Sequence, residues 1–327
     1  MILLLTHSGD YYTIDRVKMA LDERNARSAI VHTDRYPQFC SLTSEFRSND
    51  PVGFSAQLED KFGPVNLNEV GSVWVRRIWP GLMPPDMPPQ AAAQQAKLSH
   101  HAYNETLDLL RDAWWMNPID AGLKSESKSL QLKVASQTGL RIPDTLISND
   151  PDRIRDFFHR HGGNIITKTL QPLAVSMEAA PEFAYTCRVE AEQLDMLDVA
   201  RLSPQIYQPC IEKAWELRVA VVCDRFFVAG IRGKGGTAPG LDWRSPTHGE
   251  CEWFESTLPD DSREKLLKLM ERLGIVFGSA DFIVDDPEGE PVFLEINQAG
   301  EWGMLERDLG FPIAKTIADK LIENSKA

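Results

Sequence analysis

The run Gly278-Ser279-Ala280-Asp281-Phe282-Ile283-Val284, followed after a charged turn by Val292-Phe293-Leu294-Glu295-Ile296-Asn297, decides how this chain is read. Both runs are apolar and partly β-branched. The segment Asp285-Asp286-Pro287-Glu288-Gly289-Glu290 between them is rich in turn formers, so a β-hairpin is expected. Side chains alternate along a strand, which places Phe293, Glu295 and Asn297 on one face and lets Asp281 meet them from the neighbouring strand. A solvated hairpin face would account for any one of these carboxylates. Three oxygen donors inside otherwise apolar strands point instead to a metal site, because burying them unpaired is costly. Two carboxylates and an amide oxygen are hard ligands of the kind Mg²⁺ accepts, with phosphate and water completing an octahedron.

Composition narrows the field around that hairpin. At 327 residues the chain can bury two or three domain cores. Its 35 basic against 48 acidic residues give a net charge of −13, which argues against broad nucleic-acid binding and against an anionic membrane surface. A local basic pocket stays compatible with that balance. The apolar start, Met1 to Leu5, breaks at once into Thr6-His7-Ser8-Gly9-Asp10. It reads as a buried first strand and not as a signal segment, and no run is long enough to span a membrane. Cys40, Cys187, Cys210, Cys223 and Cys251 are scattered without a C-x-x-C pair. Free, mostly buried thiols in a reducing, cytoplasmic setting are expected.

Residues 1–118 read as one α/β domain, with strands at 2–5 and 28–33 around a helix at 11–25 and no dinucleotide fingerprint. The strand over 71–79 carries Arg76 and Arg77. Alternation aims them at opposite faces, so at most one reaches a given site; stacking on Trp74 or Trp79 competes with ligand binding. A proline-rich loop at 80–89 precedes a helix over 91–112, on which His100 and His101 are surface residues. Residues 119–204 form a second unit. It has a helix over 123–138 with Leu123, Leu130 and Val134 in one stripe, stopped by Gly139, and a second helix opened by Asp150-Pro151. In the strand over 164–170, Lys168 shares a face with Ile166 and Leu170 and needs an anion; a nucleotide phosphate fits, an edge-strand lysine is the alternative. Residues 173–190 suggest a covering hairpin. Residues 205–327 form the third unit, where Arg218 points away from Leu217 and Val219, and Arg232 opens a glycine-rich loop at 233–237 that lacks P-loop order. A helix over 262–273, the hairpin, a glycine-bracketed turn at 300–303 and a helix over 311–322 complete it.

Lys128, Ile166-Thr167-Lys168, Gln208-Pro209-Cys210-Ile211 with Glu216-Leu217-Arg218, Asp281 and Leu294-Glu295-Ile296-Asn297 occur in the order and approximate spacing of the ATP-grasp superfamily, which the chain resembles. Within it the chain is most similar to the microviridin-type graspetide synthetases, which crosslink ribosomal precursor peptides. That likeness covers nearly the whole chain and rests on Thr33-Asp34-Arg35-Tyr36-Pro37, Val73-Trp74-Val75-Arg76-Arg77, Leu130 to Ala135, Asp242-Trp243-Arg244 and Glu301 to Leu309.

The resemblance implies a three-part α/β fold with ATP clamped between the middle and C-terminal domains. It implies that Lys128 and Lys168 contact phosphates, that Gln208, Cys210 and Ile211 flank the adenine, and that Glu216 reaches the ribose. It assigns Asp281, Glu295 and Asn297 to Mg²⁺, and Arg218 with Arg232 to charge on the transferring phosphoryl group. A precursor peptide with a leader, ATP and Mg²⁺ are the implied partners, through an acyl phosphate, in a homodimer without nucleic acid or membrane. The 301–309 segment leans toward amide over ester crosslinks. Two departures stand out: no glycine lies between Thr169 and Ala180, and Gln298 stands where many relatives have proline. A ligase of small amino acids or peptides, and a silent ATP-binding module, stay open beside the peptide-crosslinking ligase.

Overall fold

The computed structural model describes residues 1–48, 53–61, 63–171, 186–236, 240–242 and 251–326. The N-terminal part runs β1 (Ile2–Thr6), α1 (Thr13–Glu23), β2 (Ser28–His32), β3 (Cys40–Phe46), β4 (Phe54–Asp60), β5 (Gly63–Asn66), β6 (Ser72–Val75), α2 (Pro89–Leu107) and β7 (Trp114–Met116). Parallel pairing gives a sheet in the order β2-β1-β6-β7, beside an antiparallel β3-β4-β5 sheet. The smaller sheet went unread in the sequence because its apolar positions are sparse. Ala56 and Leu58 alternate with exposed polar residues and bury one face in the core that holds Val73 and Tyr103. Proline at the first turn of α2 lacks only a donor that a helix start leaves unused.

The central part holds α3 (Ile119–Ser125), α4 (Lys128–Thr138), β8 (Leu146–Ser148), α5 (Pro151–Arg160), β9 (Ile165–Lys168), β10 (Cys187–Arg188) and β11 (Gln205–Pro209), in an antiparallel sheet of order β10-β9-β11-β8. Asp150 caps α5 as expected, accepting from the Asp152 amide at 3.0 Å. The single helix expected over 123–138 is two. The Ser127 side chain accepts from the Leu130 amide at 3.4 Å and starts a new helix at Lys128, which leaves Leu123 65% exposed instead of in a buried stripe. Gly139, at φ 83°, ends that helix as the sequence suggests. Of the covering hairpin expected at 173–190, residues 173–185 lie outside the described residues, and β10 pairs with β9.

The C-terminal part comprises β12 (Trp215–Val222), β13 (Arg225–Gly233), β14 (Cys251–Glu255), α6 (Asp260–Leu273), β15 (Phe277–Val284), β16 (Val292–Asn297), α7 (Gly303–Leu309) and α8 (Ile313–Glu323). Its antiparallel sheet has the order β14-β13-β12-β15-β16. Leu217, Val219, Phe282 and Phe293 pack with Val134 of α4 and Leu266 and Leu269 of α6. A second cluster joins Ala220, Val222 and Phe277 to Trp74, Trp302, α1 and α8, so the first and last parts of the chain share one core. No helix among the described residues is long and apolar enough to cross a membrane. None of the five cysteines forms a disulfide, but only Cys40 is buried, and Cys187 is exposed on the short β10.

Close packing across β13 and β14 gives a stability test. A Cβ on Gly230 would lie 2.1 Å from the Phe254 ring, which is itself flanked by Trp215 and the Arg232 guanidinium. Gly230→Ala is therefore expected to cost about 2 kcal/mol in urea unfolding through overpacking. An unchanged midpoint would show that the ring moves aside freely.

Candidate active site

β15 and β16 form the expected hairpin, with one correction. Asp281 pairs with Glu295 and Ser279 with Asn297, but the register shifts between Asp281 and Phe282, and Phe282 pairs with Phe293. This bulge breaks simple alternation. Phe293 and Ile296 enter the core, while Leu294, Glu295 and Asn297 line a cleft of about 260 Å³. Phe293 therefore does not share the face of Glu295. Asp281 and Ile283 line the same cleft, whereas Ala280, Phe282 and Val284 are in the core.

The cleft gathers most of the residues singled out in the sequence: Lys168, Gln208, Cys210, Ile211, Glu216, Arg218, Asp281, Glu295 and Asn297. Arg218 lies opposite Asp281 in the β12–β15 register and donates to both of its carboxylate oxygens at 2.8 Å. A further N–H of Arg218 reaches the Glu301 carbonyl at 3.0 Å, and its Nε is buried without a partner among the described residues. Lys128, at the start of α4, pairs with Glu295. Asn297 Nδ2 donates to the other Glu295 oxygen at 3.1 Å. Gln131 braces this strand from α4, donating to the Ile296 carbonyl at 2.9 Å and accepting its amide at 2.8 Å.

Burial by itself would raise the Glu295 pKa. The positive charges of Lys128 and Lys168, with hydrogen bonds from Lys128 and Asn297, outweigh it and lower the pKa to about 2. A carboxyl with a depressed folded-state pKa contributes stability above its unfolded value, here 4.5, and that contribution is lost as pH falls from about 4.5 to about 2. Unfolding of the metal-free protein should show this loss across that window, and Glu295→Gln should flatten it. An identical pH dependence in the variant would contradict the assignment.

Asp281, Glu295 and Asn297 suit Mg²⁺: two carboxylates in direct cross-strand register and an amide two residues along, on one wall of a cleft. Among the described residues no three His, Cys, Asp or Glu side chains come together as a metal cluster, and the amide oxygen of Asn297 would be the third donor in such a set. At the other wall Gln208 is buried and donates to Thr145 Oγ1 at 2.9 Å. Glu216 is 7% exposed; burial raises its pKa, opposed by Lys213, whose ammonium donates to it at 2.5 Å and to the Leu241 carbonyl at 3.1 Å. Lys213 stands three residues before Glu216, just ahead of β12, where no strand period singles it out in the sequence.

Arg232 is placed differently. It lies near the end of β13, opposite Glu252 of β14, and the turn follows one residue later, after Gly233. It is exposed, pairs with Glu252 at 2.6 Å and stacks over Phe254 at 4.8 Å, and it is not among the described residues that line the cleft. Arg76 and Arg77 also depart from expectation. β6 ends at Val75, so alternation no longer governs them, and both approach the same Glu301 oxygen, at 2.5 and 3.8 Å. Trp74 is fully buried, and Trp79 stacks on His7 at 3.8 Å. Glu301 itself lines the cleft beside Met304; the sequence reading places it in the 300–303 turn and in the 301–309 stretch that carries the resemblance, without a role of its own.

The MvdD pre-ATP grasp domain family matches residues 1–122. Among solved structures, macrocyclase MdnB from Microcystis aeruginosa MRC is 38% identical over 98% of each chain, with a TM-score of 0.81. Macrocyclase MdnC from the same source, bound with precursor peptide MdnA, is 29% identical over 98% of this chain and 99% of its own, with a TM-score of 0.86. A Chryseobacterium gregarium RiPP-associated ATP-grasp ligase, in complex with ADP and a leader and core peptide, is 26% identical over 99% and 97%, with a TM-score of 0.84. No curated protein matches the sequence. A parallel N-terminal module set against two antiparallel sheets with a cleft between them is thus the architecture of an ATP-grasp ligase. The chain belongs to the graspetide-type ATP-grasp synthetases, the macrocyclase family that includes MdnB.

Proposed function

We propose that this chain closes side-chain amide or ester rings in a ribosomally made precursor peptide, using ATP and passing through an acyl phosphate. The observation that carries the reading is the pairing of Arg218 with Asp281 and of Lys128 with Glu295 in one cleft, with Arg218 Nε left buried and unpartnered among the described residues. A buried donor of this kind seeks an anion. The reading is supported by the peptide complexes of MdnC and of the Chryseobacterium ligase.

In this account Lys128 and Lys168 turn from Glu295 to the nucleotide phosphates, and Gln208, Cys210 and Ile211 form the adenine edge with Glu216 at the ribose. Asp281, Glu295 and Asn297 would hold Mg²⁺, which would counter negative charge on the phosphates. A peptide Asp or Glu carboxylate oxygen forms a bond to the γ-phosphorus as the bond to ADP breaks. An amine or hydroxyl of the same peptide then bonds to the acyl carbon, phosphate leaves with the bonding pair, and the nucleophile loses its proton. Arg218 counters the charge that gathers on the phosphoryl oxygens, a role Arg232 is not placed to share. A homodimer belongs to the same proposal, and sedimentation reads it directly.

Hydroxylamine tests the intermediate. Added during turnover of a candidate precursor peptide that carries a leader, it should divert the peptide into a hydroxamate and suppress ring closure. Rings that form at an undiminished rate, with no hydroxamate, would sink the acyl phosphate.

A further inference from the structure

In the proposed function the nucleotide and metal lie between the middle and C-terminal parts, and the N-terminal sheet has no share in them. The structure assigns Arg76, at the end of β6 in that sheet, as the residue that positions the turn carrying the metal-binding end of β16. This rests on the proposed metal site and deepens it. Arg76 is 1% exposed. Its backbone amide donates to the Leu5 carbonyl at 2.8 Å, which mounts it on the β1–β6 pair. Its guanidinium then makes three contacts in three directions: Nε to Thr13 Oγ1 of α1 at 3.1 Å, Nη1 to the Ala299 carbonyl at 2.6 Å, and Nη2 to Glu301 Oε2 at 2.5 Å.

The two latter contacts fall just past Asn297. The turn is tight, with the Gly300 amide on the Asn297 carbonyl at 3.0 Å, and a Cβ on Gly300 would lie 2.5 Å from Ser279. Asn117 holds the Gln298 carbonyl at 3.2 Å, Arg76 holds Ala299, and Arg218 holds the Glu301 carbonyl while gripping Asp281. The other Glu301 oxygen accepts the amides of Trp302 and Gly303, at 3.2 and 2.9 Å. Arg76 thus fixes the segment between two metal donors, Asn297 and, through Glu301 and Arg218, Asp281. A planar guanidinium can satisfy three partners at set angles, which an ammonium cannot. Groups that hold the ligands of a metal commonly set its affinity.

Calorimetric titration of ADP into the full chain, with graded free Mg²⁺ and without it, separates positioning from bulk stability. Arg76→Lys should raise the Mg²⁺ concentration for half-maximal ADP binding roughly tenfold and leave metal-free ADP binding near the wild-type value. Thr13→Ala, which removes only the Nε partner, should shift it in the same direction by less, and it carries the test if Arg76→Lys does not fold. A lowered melting temperature with unchanged Mg²⁺ dependence in the folded variants would show that Arg76 is only a structural clamp. Wild-type protein that shows no Mg²⁺-dependent ADP binding would overturn the nucleotide reading itself, and this inference with it.

Discussion

Glu295→Gln is expected to abolish ring closure while leaving the chain folded. Glutamine keeps the shape of the side chain and its bond with Asn297, but it removes the charge that both Lys128 and the expected Mg²⁺ require. Loss of an outer partner of a metal ligand costs ~10–100-fold in affinity or activity, and loss of a charged ligand should exceed that. The folded state is also weakened, because Lys128, mostly buried, loses its counter-charge. Circular dichroism and peptide mass analysis on the same sample separate the two effects. A folded Glu295→Gln protein that closes rings at the wild-type rate would remove Glu295 from the metal site.

Arg218→Lys is expected to lower kcat by roughly 10²–10³-fold with little change in ADP affinity. The guanidinium is 7% exposed and serves Asp281 and Glu301 at once, with Nε left over for a third partner. Lysine keeps the charge, and one ammonium can still reach Asp281 as Nη1 does, but it loses the Nη2 donor to the Glu301 carbonyl and the spare Nε at fixed angles. A loss confined to kcat marks an interaction made in the transition state, whereas a loss confined to KM marks substrate binding alone. Equal ADP affinity and equal kcat in Arg218→Lys would show that the charge by itself suffices.

Much of this site was legible because strand periodicity exposes misplaced charges. Lys168, Arg218, Asp281 and Glu295 each interrupt an apolar run, and all four line one cleft. What the sequence hid arises where regular periodicity stops. The bulge at Asp281–Phe282 sends Phe293 to the core and Leu294 to the cleft, and no turn residue announces it. The break before Lys128 depends on Ser127 as a cap, without the Glu or Gln three residues on that marks a capping box. Arg76 looked like half of an alternating pair, and only the end of β6 at Val75 frees it to turn toward Ala299 and Glu301. Arg232 was read by its neighbours in sequence, Gly233 to Gly236, while its pairing with Glu252 of β14 is long-range and unmarked.

The most direct test of the central claim is the stoichiometry of turnover with a candidate precursor peptide that carries a leader. Mass spectrometry would count waters lost from the peptide while a coupled assay counts ADP released. The account predicts one ADP for each ring closed, both dependent on Mg²⁺. ADP release with no change in peptide mass would contradict it and move the activity to another acceptor.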